Sequence, residues 1–358
     1  MLYNLHLLRA LAALGVVYFH ITSEAGLDLS FNVGAHGVDV FFVISGFIIS
    51  RIGQQEPRDF LVRRLIRIVP FYWAATLVVF AAAAVLPGLF RSTQADVRQL
   101  VCSLLFIPRE TTYAGMFPTL LLGWSLNYEM YFYLLFTLAL LLTRRFAPIA
   151  CCAAIVAIAW LIHVSGTVSP SVRFYARPLV FEFAFGVGAY YALRWFESNA
   201  SRLRANGALR NLCAAVVTAA TVALILEEHY RGFGLPRFLS AGLPALALVL
   251  AALVLECVYG LRARSRLIHL LGESSYILYL VHPYIVYGVL RTILRDEHAL
   301  QWPALIGVIG GLMALASAIA IALHVWLERP VMQFLRGKFA PISARPSPAA
   351  PPRRSAAG

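Results

Sequence analysis

Ten apolar runs, each about long enough to cross the hydrocarbon core of a bilayer, leave this chain little choice of architecture. They fall at roughly 5–22, 36–53, 68–86, 120–142, 147–164, 179–196, 210–228, 239–260, 273–293 and 303–326. A helix rises about 1.5 Å per residue, so roughly 20 residues span ~30 Å of hydrocarbon. Lipid offers no partner to an unpaired backbone group, so each run must be helical. The expected fold is all-α, a polytopic membrane helix bundle of about ten transmembrane helices. A hydrophobic content of 60% and a mean hydropathy of +0.76 exclude a soluble protein of this size. The net charge of +13 would suggest nucleic acid as a partner of a soluble chain. Here the basic residues lie in short loops beside apolar runs, so no nucleic acid is expected.

Counted by alternate connections, Lys and Arg are unevenly shared. The connections at 51–67, 143–147, 194–210 and 261–266, with the tail from 329, hold twenty, and the opposite set holds eight. The positive-inside rule then places both termini in the cytoplasm, with the bundle in the cytoplasmic (inner) membrane. No cleavage site follows the first run, which should remain as a signal anchor. An integral-membrane domain is expected over 1–330. The Pro-, Ala-, Ser- and Arg-rich residues 331–358 should form a disordered cytoplasmic tail. The long connection 87–119 contains an apolar piece, Leu100–Pro108, that is too short to span and should lie at the interface or cap the bundle. The five cysteines show no metal-ligand spacing, and no metal is expected.

The charged residues inside the runs point to function. Arg9 and His20 share the first run, roughly 16 Å apart along a helix axis, with Arg9 toward the cytoplasm. An ionisable group inside a span costs about 2.5–3.5 kcal/mol and commonly marks a site, although snorkelling to the interface is the plainer account. Asp39 and Glu129 fall in the outer halves of their runs, at the level of His20. A carboxylate beside an imidazole fixes its tautomer and raises its basicity, as a general base requires. Asp39 would equally suit a helix N-terminus. Arg63, Arg64 and Arg67, at helical spacing in the cytoplasmic loop before the third run, suit either a phosphate-bearing ligand or anionic lipid. His282 precedes Pro283 near mid-membrane among tyrosines, where a kink and a catalytic role are both open. Trp124, Tyr128 and Tyr131 offer a sugar-stacking face or an interfacial belt.

Arg9-x10-His20, GVDVFFVISGFIIS, RRLIR with Pro70, GWSLNYEMYFY, SYILYLVHP and the closing LERP at Leu327–Pro330 follow one another in order over residues 5–330. In that order and spacing the chain resembles the integral-membrane acyltransferase-3 family, which includes O-acetyltransferases of bacterial exopolysaccharide, O-antigen and Nod factor. The resemblance implies an acyl-CoA donor, usually acetyl-CoA, and transfer to a glycan or lipid-linked saccharide acceptor. It also implies functional roles for Arg9, His20, Arg64 and Arg67. Some members carry an additional esterase-like domain; none is expected here, and with it no mechanism that needs such a domain in the same chain. The combined expectation places CoA phosphates on Arg63, Arg64, Arg67 and Arg9. His20, oriented by Glu129 or Asp39, would deprotonate a sugar hydroxyl or first accept the acyl group, while Trp124, Tyr128 and His282 contact substrate. The competing class is a transporter or flippase for a polar or anionic solute, in which the same buried charges would line a path.

Overall fold

A computed structural model describes residues 2–26, 34–90, 93–166, 168–205, 207–230, 234–293 and 302–339. The bundle begins with α1 (Tyr3–Glu24), α2 (Gly37–Gln55), α3 (Phe60–Val85), the short α4 (Val97–Leu104), α5 (Gly123–Leu142) and α6 (Ala147–Val164). It continues through α7 (Pro170–Phe174), α8 (Phe181–Ser198), α9 (Ala200–Arg204), α10 (Gly207–Tyr230) and α11 (Leu243–Cys257). The last helices are α12 (Arg266–Ile293), α13 (Trp302–Leu323) and α14 (Arg329–Phe339). Two π-helical turns interrupt this pattern, Phe238–Gly242 before α11 and His324–Glu328 between α13 and α14.

Every one of the ten apolar runs is helical, and the protein is an all-α polytopic membrane bundle. Eight of the described helices are long and apolar enough to cross a membrane. α8 and α12 account for the other two runs and are more polar, with Glu182, Arg194 and Glu197 on α8 and Glu273, Ser274, Ser275 and His282 on α12. Two expected boundaries move. α3 starts at Phe60, so Arg63, Arg64 and Arg67 occupy its first two turns rather than a loop before it. The chain is also helical over 331–339, where Met332 is buried and Val331 and Leu335 pack on the core, so no helix ends at 330. Residues 340–358 of the expected tail lie outside the described residues.

α2 divides the interior. Its Val38, Phe42 and Ile49 belong to one apolar core, with residues of α1, α3, α5, α12 and α13, while Val40, Val43, Ile44 and Phe47 belong to a second with α8, α10 and α11. Ser45 falls on the Val38–Phe42–Ile49 stripe, three residues after Phe42 and four before Ile49. A polar side chain is thus carried into the first core. The expected short apolar piece forms α4, which lies against α3, and the Trp73 indole donates to the Leu104 carbonyl (2.8 Å). Asp96 caps α4 by accepting from the backbone N–H of Arg98 and Gln99. Arg109, hydrogen-bonded to Asp96 at 2.8 Å, holds that carboxyl below the usual carboxylate range, so the cap stays charged.

α1 lies along α12 for most of its length, and the two backbones approach closely at Gly272. A Cβ there would sit 2.3 Å from the His6 carbonyl oxygen, an obstacle that cannot rotate away. Gly272→Leu should therefore part the α1–α12 seam. The expected loss is at least ~1–3 kcal/mol, read as a lowered unfolding temperature of the detergent-solubilised protein.

Candidate active site

Eleven residues at about 100° each return almost to the starting direction, so Arg9 and His20 lie on one stripe of α1. That stripe faces α12. The Arg9 Nη2 donates to Ser275 Oγ (2.9 Å), and His20 Nδ1 lies 3.3 Å from His282 Nε2. Ser275 and His282 are seven residues apart and share a stripe in turn. The pairing continues into the tautomers. His20 Nδ1 is 2.8 Å from the Val16 carbonyl oxygen, and His282 Nδ1 is 2.9 Å from that of Leu278. A carbonyl only accepts, so both Nδ1 atoms carry hydrogen. His282 Nε2 is then an acceptor facing the His20 Nδ1–H, and the His20 Nε2 lone pair has no partner among the described residues. Pro283, the next residue, has no N–H to give the Tyr279 carbonyl one turn back.

A cavity of about 160 Å³ lies beside the histidine pair, between α1, α2, α3, α5 and α12. Arg9, Arg64 and Arg67 enter it from one side, and Ser45, Glu129, Tyr133, Tyr276 and Tyr279 line the rest with apolar residues of α2. The Tyr279 hydroxyl is 2.8 Å from Ser125 Oγ, and its ring centroid is 6.2 Å from that of His282. Tyr279 thus stands between this cavity and His282. A second cavity, of about 450 Å³, shares Arg9 and Arg67 with the first and is otherwise lined by the His324–Glu328 turn, α14, His6 and Glu273. The two cavities thus meet at Arg9 and Arg67, between α14 and the inner half of the bundle.

The structure sorts the expected site residues differently from the sequence. Arg9, Arg64 and Arg67 come together, but Arg63 does not join them. Its guanidinium holds the turn before α3, bonding the carbonyls of Glu56 and Arg58 at 2.6 Å each and lying 3.2 Å from the Glu56 carboxylate. Glu129 does not touch His20 either. It accepts from the Ser45 and Tyr133 hydroxyls in the arginine-lined cavity, within the electrostatic reach of Arg64 and Arg9. Azimuth explains the correction, because α5 turns Glu129 toward α2 while α1 turns His20 toward α12.

Asp39 belongs to a separate ionic cluster. Arg237 chelates it (2.9 and 2.7 Å), and His36 Nδ1 lies 3.1 Å from it. His36 Nε2 contacts Glu227, which accepts from Ser240 (2.7 Å) in the π-helical turn, and Glu228 accepts from the N–H groups of Gly34 and Ala35. The cluster ties the start of α2 to α10 and α11. Tyr128 is a core residue, stacked on Phe174 at 4.3 Å with its hydroxyl donating to the Phe174 carbonyl (2.8 Å), and Trp124 packs edge-on against it. His282, expected at substrate, instead backs His20. Sequence reasoning missed Ser45 and Tyr279, although helical spacing from Phe42 and from His282 carries a signal for each. The Asp39–Arg237 pair spans 198 residues and leaves no local signal.

With the geometry in place, comparison with known proteins decides the class. The profile of the acyltransferase domain family matches residues 2–323. The chain belongs to the acyltransferase-3 family. It is therefore an acyltransferase, and the transport alternative falls. Its relatives include the exopolysaccharide production protein ExoZ of Rhizobium meliloti, 32% identical over 91% of this chain and 97% of that protein. The acyltransferase MdmB of Streptomyces mycarofaciens is 27% identical over 96% and 94%. A putative peptidoglycan O-acetyltransferase of Bacillus subtilis, YrhL, is 29% identical over 78% of this chain, which spans only 48% of that relative. No solved structure matches the chain.

This arrangement keeps Asp39 apart from the arginine-lined cavity. Arg237→Ala leaves Asp39, fully buried, without its chelating partner, and should destabilise the protein by on the order of 1–3 kcal/mol. Thermal unfolding of the purified protein should show that loss, with acyl-donor binding to folded protein unchanged.

Proposed function

We propose that this acyltransferase moves an acetyl group from cytoplasmic acetyl-CoA to a hydroxyl of a surface glycan or lipid-linked sugar. The observation that carries the proposal is an arginine-lined cavity on the same α1–α12 seam that orients His20 through its Nδ1. Guanidinium groups present fixed pairs of N–H donors that suit phosphate oxygens. Arg64 needs such a partner, since its buried Nε has none among the described residues. Arg9, Arg64 and Arg67 would hold the CoA diphosphate, and the pantetheine arm would run through the cavity past Ser45 and Tyr133 to bring the thioester against Tyr279 and His282. The names of ExoZ and YrhL support an exopolysaccharide or peptidoglycan sugar as acceptor class. The distribution of Lys and Arg supports cytoplasmic termini and an inner-membrane location.

His20 is the catalytic base in this reading. Its Nε2 takes the proton of the acceptor hydroxyl as the oxygen attacks the thioester carbonyl. The resulting imidazolium keeps its Nδ1–H on the Val16 carbonyl and the His282 Nε2. When the tetrahedral intermediate collapses, the C–S bond breaks, and the His20 Nε2 proton passes to the departing CoA thiolate. The products are the ester and free CoA, and His20 returns to its starting tautomer. His282 fills the orienting role expected of Glu129 or Asp39. Glu129 instead tempers the positive charge of the donor cavity.

The test separates donor binding from transfer. Cells carrying the protein should yield surface polysaccharide repeats heavier by one acetyl group than cells without it. His20→Ala should lower turnover by ~10²–10⁴-fold while CoA binding to purified protein persists. Arg64→Ala with Arg67→Ala should weaken CoA binding by roughly 1.5–3 kcal/mol for each charge-assisted hydrogen bond removed. Near-normal acetylation by His20→Ala would remove it from the chemistry. Undiminished CoA binding in the double arginine variant would return those residues to lipid anchoring.

A further inference from the structure

The second, outer cavity, which lies beyond the arginines from the seam, is lined by two arginines that the donor site described above does not use, Arg329 and Arg336. Arg329, Met332, Gln333 and Arg336 recur at helical spacing, so α14 turns one stripe into that cavity, while Phe334, 67% exposed, faces away. Most charges there are already committed. Arg67 Nη1 donates to Glu328 (2.6 Å), whose other oxygen lies 2.5 Å from His324 Nδ1. Arg329 Nε donates to His324 Nε2 (3.1 Å), and its Nη2 pairs with Glu273. Arg336 has no hydrogen-bonded partner among the described residues. Its electrostatic neighbours are Arg67, Arg64 and Arg63, with Glu328 as the one anion. Exposed at the cavity and surrounded by like charges, this guanidinium is available to a further anion.

We propose that Arg336 binds the 3′-phosphate of CoA, so that α14 makes the enzyme select the 3′-phosphorylated donor over its dephospho form. The proposal rests on the acyl-CoA reading above. A CoA that enters thiol first places its diphosphate where the two cavities meet, at Arg9 and Arg67. Its adenosine 3′-phosphate then trails into the outer cavity, which Arg336 lines and the inner cavity does not share. A phosphate monoester also carries enough charge to compensate a local excess of guanidinium groups. Arg336 lies beyond residue 323, where the family match ends.

The experiment measures CoA and 3′-dephospho-CoA binding to the full chain in detergent, for the parent, Arg336→Gln and Lys338→Gln. Lys338 lies over the Phe339 ring and does not line the cavity, so its variant controls for the charge removed from α14. The parent should prefer CoA by about tenfold or more, the value of one charge-assisted hydrogen bond. Arg336→Gln should abolish that preference through CoA alone, with dephospho-CoA affinity unchanged, and Lys338→Gln should keep it. A preference that survives in Arg336→Gln would overturn the proposal and assign Arg336 to a lipid phosphate. Equal weakening of both ligands would overturn it in favour of a structural role for α14. A parent that binds both ligands equally would overturn it while leaving the acyl-CoA reading intact. A parent that binds neither would overturn both.

Discussion

The register of α1 against α12 is the constraint on which the site depends. One close backbone approach at Gly272 and one polar contact, Arg9 to Ser275, fix it toward one end. The same register brings His20 to His282 at the other. Eleven residues on α1 are matched by seven on α12, a difference that the long Arg9 side chain spans in reaching Ser275. A slip of one residue would turn both polar groups of α1 about 100° away from their partners. Desolvated polar groups without partners are destabilising inside a bundle, so the seam selects its own register.

Around this seam the protein keeps its buried charges in separate compartments. Asp39, His36, Glu227 and Arg237 offset one another at the start of α2 and join three helices. Glu328, His324, Arg329 and Glu273 offset one another at the start of α14. Each group includes or adjoins a π-helical turn, whose extra residue shifts the side-chain stripe and aims a polar group inward. Between them lies the cavity where arginines exceed acids, with Glu129 as the acid among Arg9, Arg64 and Arg67. That surplus is what an anionic donor would neutralise.

Much of this was legible in the sequence. Apolar runs of bilayer length identify the helices because lipid leaves the backbone no alternative. The Arg9–His20 spacing marks one stripe because helical periodicity is fixed. The arginines at 64 and 67 converge because they share the first turns of α3. What escaped depended on helix azimuth and on partners distant in the chain. Depth placed Glu129 beside His20, but depth does not say which neighbour a helix faces, and α5 presents Glu129 to Ser45. Asp39 read as a carboxylate that could orient His20 because Arg237, its partner, stands 198 positions away, just before the π-helical turn that precedes α11. The helix over 331–339 was hidden by the Pro-rich residues that follow it, although Val331, Met332 and Leu335 supply its packing face.

The central claim is vectorial: the donor enters at the arginines, and the acceptor meets His20 from the other side of the bundle. Proteoliposomes in which the protein has been sorted into one orientation test it directly. With a glycan acceptor supplied outside, radiolabelled acetyl-CoA should label that acceptor only when sealed on the side where Arg64 and Arg67 open. Transfer with acetyl-CoA present only on the acceptor side would contradict the account.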